Sequence, residues 1–261
     1  MMKLYHAATS VCSQKARLVF AETGTACESV LLDLTKGEHM TPQYRALNPD
    51  AVVPTLVHDG LVVRESSLVV EYVDRVAGGG LMPREPLAEV ATRLWLVRTL
   101  AIHEAVNSMT FATLIREQER ARRTPAEIEA WLASTPNPQT AAKRRDLMEN
   151  GVESVFVDGA LHVLLGMLRD MAAALDAGIW LNGSAYSLSD LALTAYVDRL
   201  DRLGMAHLWT GRYPAVAAWL SHCRSRPSYA TAIESHIPAG AADAGRLAGE
   251  RAWPAIAARL G

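Results

Sequence analysis

The sequence predicts a small α/β domain followed by a larger all-α domain. Three observations carry this. The first 75 or so residues mix short strand and helix patterns, "AGGGLMPREP" (residues 77–86) is a Gly/Pro-rich break, and the pattern beyond it is wholly helical. With 261 residues, half of them hydrophobic, the chain can bury a full core as one large domain or two small ones. The boundaries read as residues 1–78 and 87–261.

Taken in order, "KLYH" (residues 3–6) is a short strand. Ala16, Val19, Phe20 and Thr23 then recur at i, i+3, i+4 and i+7 as one helical face, with Gly24 as its stop. "ESVLLD" (residues 28–33) reads as a second strand, followed by a looser segment with a short helix. "TLVHDGLVV" (residues 55–63) reads as a hairpin around Asp59-Gly60, the dipeptide a tight primed turn prefers. Leu68, Val69, Tyr72, Val73 and Val76 mark a further helix. The resulting order, β-α-β-(α)-β-β-α, is a parallel crossover followed by an antiparallel hairpin. From Leu87 to about Ile233 the pattern is helical, interrupted at "ASTPNPQTAAKRR" (residues 133–145), where Pro136 and Pro138 suggest an extended loop. The Ala/Gly-rich tail after Pro238 reads as a segment folded over a pocket or as disorder.

Several function classes are disfavoured. A net charge of −2 argues against phosphate-dominated nucleic-acid binding. Cys12, Cys27 and Cys223 are an odd number without paired spacing, which suits a reduced, cytoplasmic setting. The N-terminal stretch lacks the apolar core of a signal peptide, and no apolar run reaches the ~18 residues of a membrane span. No histidine sits in metal-ligand spacing, so no metal is expected. The basic run from Arg116 to Arg123 and from Lys143 to Arg145 reads as a solvated face.

The chemistry-bearing stretches lie mostly in the first domain. "TSVCSQKARLVFAETG" places Ser10, Cys12 and Ser13 at a helix start, as caps or as reactive groups. In "NPDAVVPTLVHDGLVVRESSLVVEY" (residues 48–72), Pro54 directly precedes a strand. A cis bond there costs only ~0.5–1 kcal/mol relative to trans, and would turn the N–H and C=O of Val53 outward to meet a peptide-like ligand. Glu65 and Ser66 open the next helix, where unpartnered N–H groups favour anions. A ligand carboxylate could dock at Ser66 and its ammonium at Glu65, although Ser66 serves equally well as a plain cap. Near residue 190, Ser187 and Asp190 form an S-x-x-D box with Tyr186 and Leu191 as its hydrophobic staple, a helix start worth roughly 1 kcal/mol.

Together "TSVCSQKARLVFAETG", "LNPDAVVPTLVHDG", "ESSLVVEYV", "YSLSDLALTAY" and "YPAVAAWLSHCRSRPSY" resemble the glutathione transferase superfamily, in its order and spacing. The resemblance implies a thioredoxin-like N-terminal domain that binds glutathione and an all-α domain that forms the second substrate's pocket. It implies a homodimer and no metal cofactor. The family lowers the pKa of the glutathione thiol with a Ser, Tyr or Cys. Tyr5 lies inside the first strand, so the chain looks like a serine-type member, similar to zeta, theta and related bacterial classes. Ser10 matches the leading serine of the zeta-like pattern and is favoured, Ser13 matches a related bacterial pattern, and Cys12 stands third, as in classes that form a mixed disulfide. A thiol of pKa about 8.5 is only a few per cent ionised at pH 7, and a two-unit shift corresponds to roughly 2.7 kcal/mol. Many relatives carry Gln where this chain has Val52, so the glycine end of the tripeptide needs other partners. Lys36, His39 and Gln43 are the candidates. Met109, Phe111 and Leu114 are candidates for the apolar pocket, with core packing as the plainer alternative. The long segment around residues 124–147 resembles the enlarged helical domain of bacterial β-etherases. The expected activity is therefore transfer of glutathione to a hydrophobic, aromatic electrophile, including β-aryl ether cleavage. The alternatives are a zeta-type isomerase and a non-catalytic binding protein.

Overall fold

Residues 1–260 are described by a computed structural model. The N-terminal segment runs β1 (Met2–His6), α1 (Val11–Thr23), β2 (Glu28–Leu31), α2 (Pro42–Leu47), β3 (Thr55–His58), β4 (Leu61–Val63) and α3 (Ser66–Val76). The sheet order is β2-β1-β3-β4, with β1 parallel to β2 and antiparallel to β3, and β3 antiparallel to β4. Asp59 (φ 48°) and Gly60 (φ 85°) both turn left-handed, as a primed hairpin requires. The rest is helical: α4 (Pro86–Thr110), a π turn over Phe111–Ile115, α5 (Arg116–Arg122), α6 (Pro125–Ala133), α7 (Pro138–Asn150), α8 (Val155–Leu175), α9 (Leu188–Arg202), α10 (Pro214–Arg224), α11 (Pro227–Ala232) and α12 (Ala241–Ala257), with short 3-10 turns between them. This is the α/β-plus-all-α architecture that the sequence predicts.

By packing, the chain forms two compact units. The first comprises Met1–Leu100, Met171–Val197 and Ala215–Ile237; the second comprises Ala101–Asp170, Asp198–Pro214 and residues from 238 onward. In the first unit Leu4 of β1 pairs with Leu56 of β3, and both meet Val19 of α1, Val69 and Val73 of α3, Leu96, Leu191 and Ile233 in one buried cluster. The Gly/Pro-rich segment after α3 is pinned here: the buried Asp74 carboxylate accepts the N–H groups of Gly80, Leu81 and Met82, each at 3.0 Å. Asp190 does more than cap α9. Its carboxylate accepts Ser187 N at 3.0 Å, Ser187 Oγ at 3.0 Å, Leu181 N at 2.9 Å and Trp219 Nε1 at 2.8 Å.

The second unit departs from three sequence expectations. The loop expected over residues 133–145 shrinks to four residues, because Pro138 occupies the first position of α7 and Asn137 caps it, accepting Gln139 N and Thr140 N. A proline there starts a helix instead of breaking one. The basic run is more than a solvated face. Arg116 Nε and Arg120 Nη2 donate to Met148 O at 3.0 and 2.9 Å, closing the end of α7, and Glu119 is buried between Arg122 and Arg123. The Ala/Gly-rich tail, for which disorder is one of the two expectations, forms α12. Its glycines permit close approach: a Cβ on Gly249 would stand 1.6 Å from Leu203 O, and one on Gly245 2.6 Å from Arg202 O. Among the described residues no single helix is long and apolar enough to cross a membrane.

Candidate functional site

The candidate site is built on the first turns of α1 and α3 in the first unit. Ser10 caps α1, its hydroxyl accepting Ser13 N at 3.3 Å. Ser13 is fully buried, and its hydroxyl accepts Ala7 N at 3.1 Å. Cys12, on the same turn, is half-buried with Sγ 3.8 Å from Tyr196 Oη. Of the three, Ser10 and Cys12 keep accessible surface and Ser13 has none. The turn is held from beneath by Arg17, which donates to Ala7 O at 3.0 Å, Ala8 O at 2.8 Å and Ala232 O at 2.7 Å.

The Val53–Pro54 bond is cis, and Val53 lies just ahead of β3. The loop before it is fixed by two buried residues of or beside α2. Tyr44 Oη donates to Val52 O at 2.5 Å, Asn48 Nδ2 to the same oxygen at 2.9 Å, and both meet Thr55 Oγ1, at 2.9 and 3.1 Å. Val52 itself is exposed. At α3 the cap is Glu65, an exposed non-glycine residue at φ 65°, ψ 110°. Such a conformation costs of order 1–3 kcal/mol and recurs at ligand-binding turns. Ser66, buried, is the first helical residue.

Tyr196 on α9 joins the two turns. Its hydroxyl interacts with Cys12, Thr99 and Ser66, and burial holds its pKa well above the usual phenol range. Lys15, one turn into α1, is also buried and donates to Ser67 Oγ at 2.9 Å and Thr99 Oγ1 at 3.1 Å. Tyr196, Lys15, Arg17, Tyr44 and Asn48 were not singled out from sequence, because each acts through residues distant in the chain.

The remaining candidates fall elsewhere. Lys36 is exposed and pairs with Asp33 at 3.1 Å, in the 3-10 turn Leu34–Lys36. His39 is half-buried in the next turn, Glu38–Met40. In the second unit Met109 is fully buried, and Phe111 is covered by the stacked Trp131 ring and by Arg144, 5.0 Å from its centroid. Leu114 keeps partial exposure.

The chain matches the family descriptions "Glutathione S-transferase, N-terminal domain" over residues 4–80 and "Glutathione S-transferase, C-terminal domain" over residues 144–222. Protein LigF of Sphingobium sp. strain SYK-6 is 26% identical over 238 residues, spanning 87% of this chain and 91% of that protein. The tetrachloro-p-hydroquinone reductive dehalogenase of Sphingobium chlorophenolicum is 27% identical over 237 residues, spanning 88% and 95%. Among solved structures, the β-etherase LigF from Sphingobium sp. strain SYK-6 superposes with a TM-score of 0.76 at 25% identity, covering 90% of this chain and 99% of that one. Glutathione transferase F7 of Populus trichocarpa superposes at 0.70 and 24% identity, over 91% and 100%, which supports the fold. With both halves of the family matched in order on one chain, and the α/β and helical parts it requires, this protein belongs to the glutathione transferase superfamily.

Proposed function

We propose that the chain is a glutathione-dependent transferase in which Ser10 ionises the bound thiol for attack on a hydrophobic aromatic electrophile, with β-aryl ether cleavage as the reaction. The observation that carries this is the pairing of two helix starts, Ser10 with Cys12 on α1 and Glu65 with Ser66 on α3, joined by Tyr196. A tripeptide fits that pattern by chemistry: its γ-glutamyl carboxylate takes the N–H groups at Ser66, its ammonium meets Glu65, and its backbone meets Val53 beside Pro54. The burial of Ser13 supports Ser10 as the thiol partner, since a hydroxyl enclosed against Ala7 N has no face for a ligand. Lys36 and His39 are assigned to the glycine end, and Met109, Phe111 and Leu114 to the electrophile's apolar surface. The glutathione part lies in residues 1–78 and the electrophile part in the helical segment from residue 87. The reaction suits the reducing cytoplasm, where glutathione is plentiful.

The likeness to LigF supports the ether substrate, because the alkyl carbon of an alkyl aryl ether accepts a thiolate as its C–O bond breaks and a phenolate leaves. A second reading is favoured by Cys12, whose thiol shares the first turn with Ser10. Replacing an aryl halogen by hydrogen consumes two thiols and yields one disulfide plus the hydrogen halide, and Cys12 would be the second thiol. The test is a glutathione-consumption assay with a β-aryl ether, a halogenated hydroquinone and a maleyl-type acid side by side. Ser10→Ala and Ser13→Ala are then compared by the ultraviolet absorbance of bound thiolate against pH. Loss of the bound thiolate in Ser10→Ala alone is the expected result, and an unchanged titration there refutes the serine mechanism.

Two copies of the chain are also proposed to pair. On α4, Leu87, Val90, Leu94 and Val97 repeat at three- and four-residue spacing, and each is more than half exposed. Monomers rarely leave a continuous apolar seam of this kind in water, and a second copy of the same seam is its natural cover.

A further inference from the structure

Lys15 is 1% exposed, yet its hydrogen-bond partners, Ser67 Oγ and Thr99 Oγ1, are both neutral. Its third side faces the Tyr196 ring, 5.5 Å from ammonium to centroid. An ammonium enclosed this way carries a large desolvation penalty unless negative charge reaches it. Burial accordingly pushes its pKa down to about 8. The titratable groups that face it are Cys12 from α1, Glu65 from the cap of α3 and Tyr196 from α9, while α4 contributes the Thr99 hydroxyl. Cys12 and Glu65 act on it as negative charges would, raising its pKa, and by reciprocity the ammonium favours a thiolate at Cys12. Lys15 Nζ donates to Thr99 Oγ1, whose own hydroxyl donates to Leu96 O at 2.7 Å, and the Tyr196 hydroxyl meets both Thr99 and Cys12 Sγ, the latter at 3.8 Å.

We propose that Lys15 is a positioning residue: its buried ammonium, relayed through Thr99 and Tyr196, is the counter-charge that stabilises a thiolate at the first turn of α1, on Cys12 and on any thiol bound beside it. The step is a simple ionisation. The Cys12 S–H bond breaks, its proton leaves to water, and the electron pair stays on sulfur, where the Tyr196 hydroxyl donates to it. Lys15 touches neither the thiol nor a substrate, so its effect travels through charge and hydroxyl orientation. This goes beyond the glutathione reading, and its test needs no glutathione.

The experiment follows iodoacetamide alkylation of Cys12 in the full chain carrying Cys27→Ser, with the modified peptide identified by mass. Cys223 does not compete, because it is buried and burial pushes its thiol well above the ordinary range. In Lys15→Met the alkylation midpoint should rise by about one pH unit and the rate at pH 7 fall roughly ten-fold. Lys15→Arg, which keeps the charge, should recover most of the rate. Thr99→Val leaves the lysine in place but cuts the relay, and should shift the midpoint in the same direction by less. A merely structural lysine would lower the melting temperature and leave these midpoints alone. Superimposable profiles for Lys15→Met and its parent overturn the proposal. Where Lys15→Met does not fold, an unchanged midpoint in Thr99→Val overturns it instead. A chain that binds no glutathione but shows the Cys12 shift refutes the transferase reading while supporting this one.

Discussion

Arg17→Met tests whether the loop carrying Ser10 is held from beneath. The Arg17 guanidinium is 7% exposed and donates to the carbonyls of Ala7, Ala8 and Ala232 at 3.0, 2.8 and 2.7 Å. Its Nη1 also meets His6 Nδ1 at 3.1 Å, and since an arginine can only donate, that ring nitrogen must accept. His6 is therefore neutral, with its proton on Nε2 facing Ser29 Oγ at 2.6 Å. Methionine refills most of the volume but offers no donor. Ala7 and Ala232 are buried, so their carbonyls stay unsatisfied, while that of the half-buried Ala8 can turn to water. At about 1–3 kcal/mol for each buried polar group left without a partner, the two together cost roughly 4 kcal/mol. The assay is urea unfolding followed by both tryptophan fluorescence and circular dichroism, so that coincident transitions justify a single free energy. Arg17→Lys should recover less than half, because one ammonium cannot span three carbonyls and a ring nitrogen. A loss below about 1 kcal/mol in Arg17→Met would refute the reasoning, since it would mean that water replaces the guanidinium at no cost.

Three other outcomes are expected. Burial first, then the Arg17 and His236 charges, lower the His6 pKa to about 4, so an unfolded chain with a pKa near 6.5 takes up a proton that the fold refuses. Stability is unaffected by this group above pH 6.5, falls by roughly 3 kcal/mol as pH drops to about 4, and falls no further from it below that. His6→Asn should flatten that part of the urea-midpoint profile. Asp190→Ala leaves Leu181 N, Ser187 N and Trp219 Nε1 without their acceptor, and should cost roughly 3–5 kcal/mol, read as a drop of about 10 °C in melting temperature. Leu94→Glu puts a charge in the middle of the exposed α4 seam and should convert a dimer to monomer by light scattering, with the fold intact by circular dichroism.

How much of this was legible in the sequence depends on which residues carry the information. The sheet, α1, α3 and the hairpin follow from local signals: a 3.6-residue stripe, alternating strand residues and Asp59-Gly60. Ser10 and Ser66 were visible for the same reason, since helix starts announce themselves in sequence. α7 starts within the expected loop because Pro138 is a first-turn proline and not a breaker, and α12 packs through glycines that admit a close carbonyl. The deeper omission was Lys15 and Arg17. On a half-buried helix such residues belong to the solvated face, and nothing local contradicts that. Yet residues 13–19 of α1 are buried on every side. A helix enclosed all round and still carrying two cations must satisfy them internally, and their partners lie 52 and 84 residues away for Lys15 and 215 away for the farthest bond of Arg17. One of these cations meets carbonyls and fixes the backbone of the Ser10 loop. The other meets two hydroxyls and the Tyr196 ring, and its charge is left to act on the Cys12 thiol at the helix start.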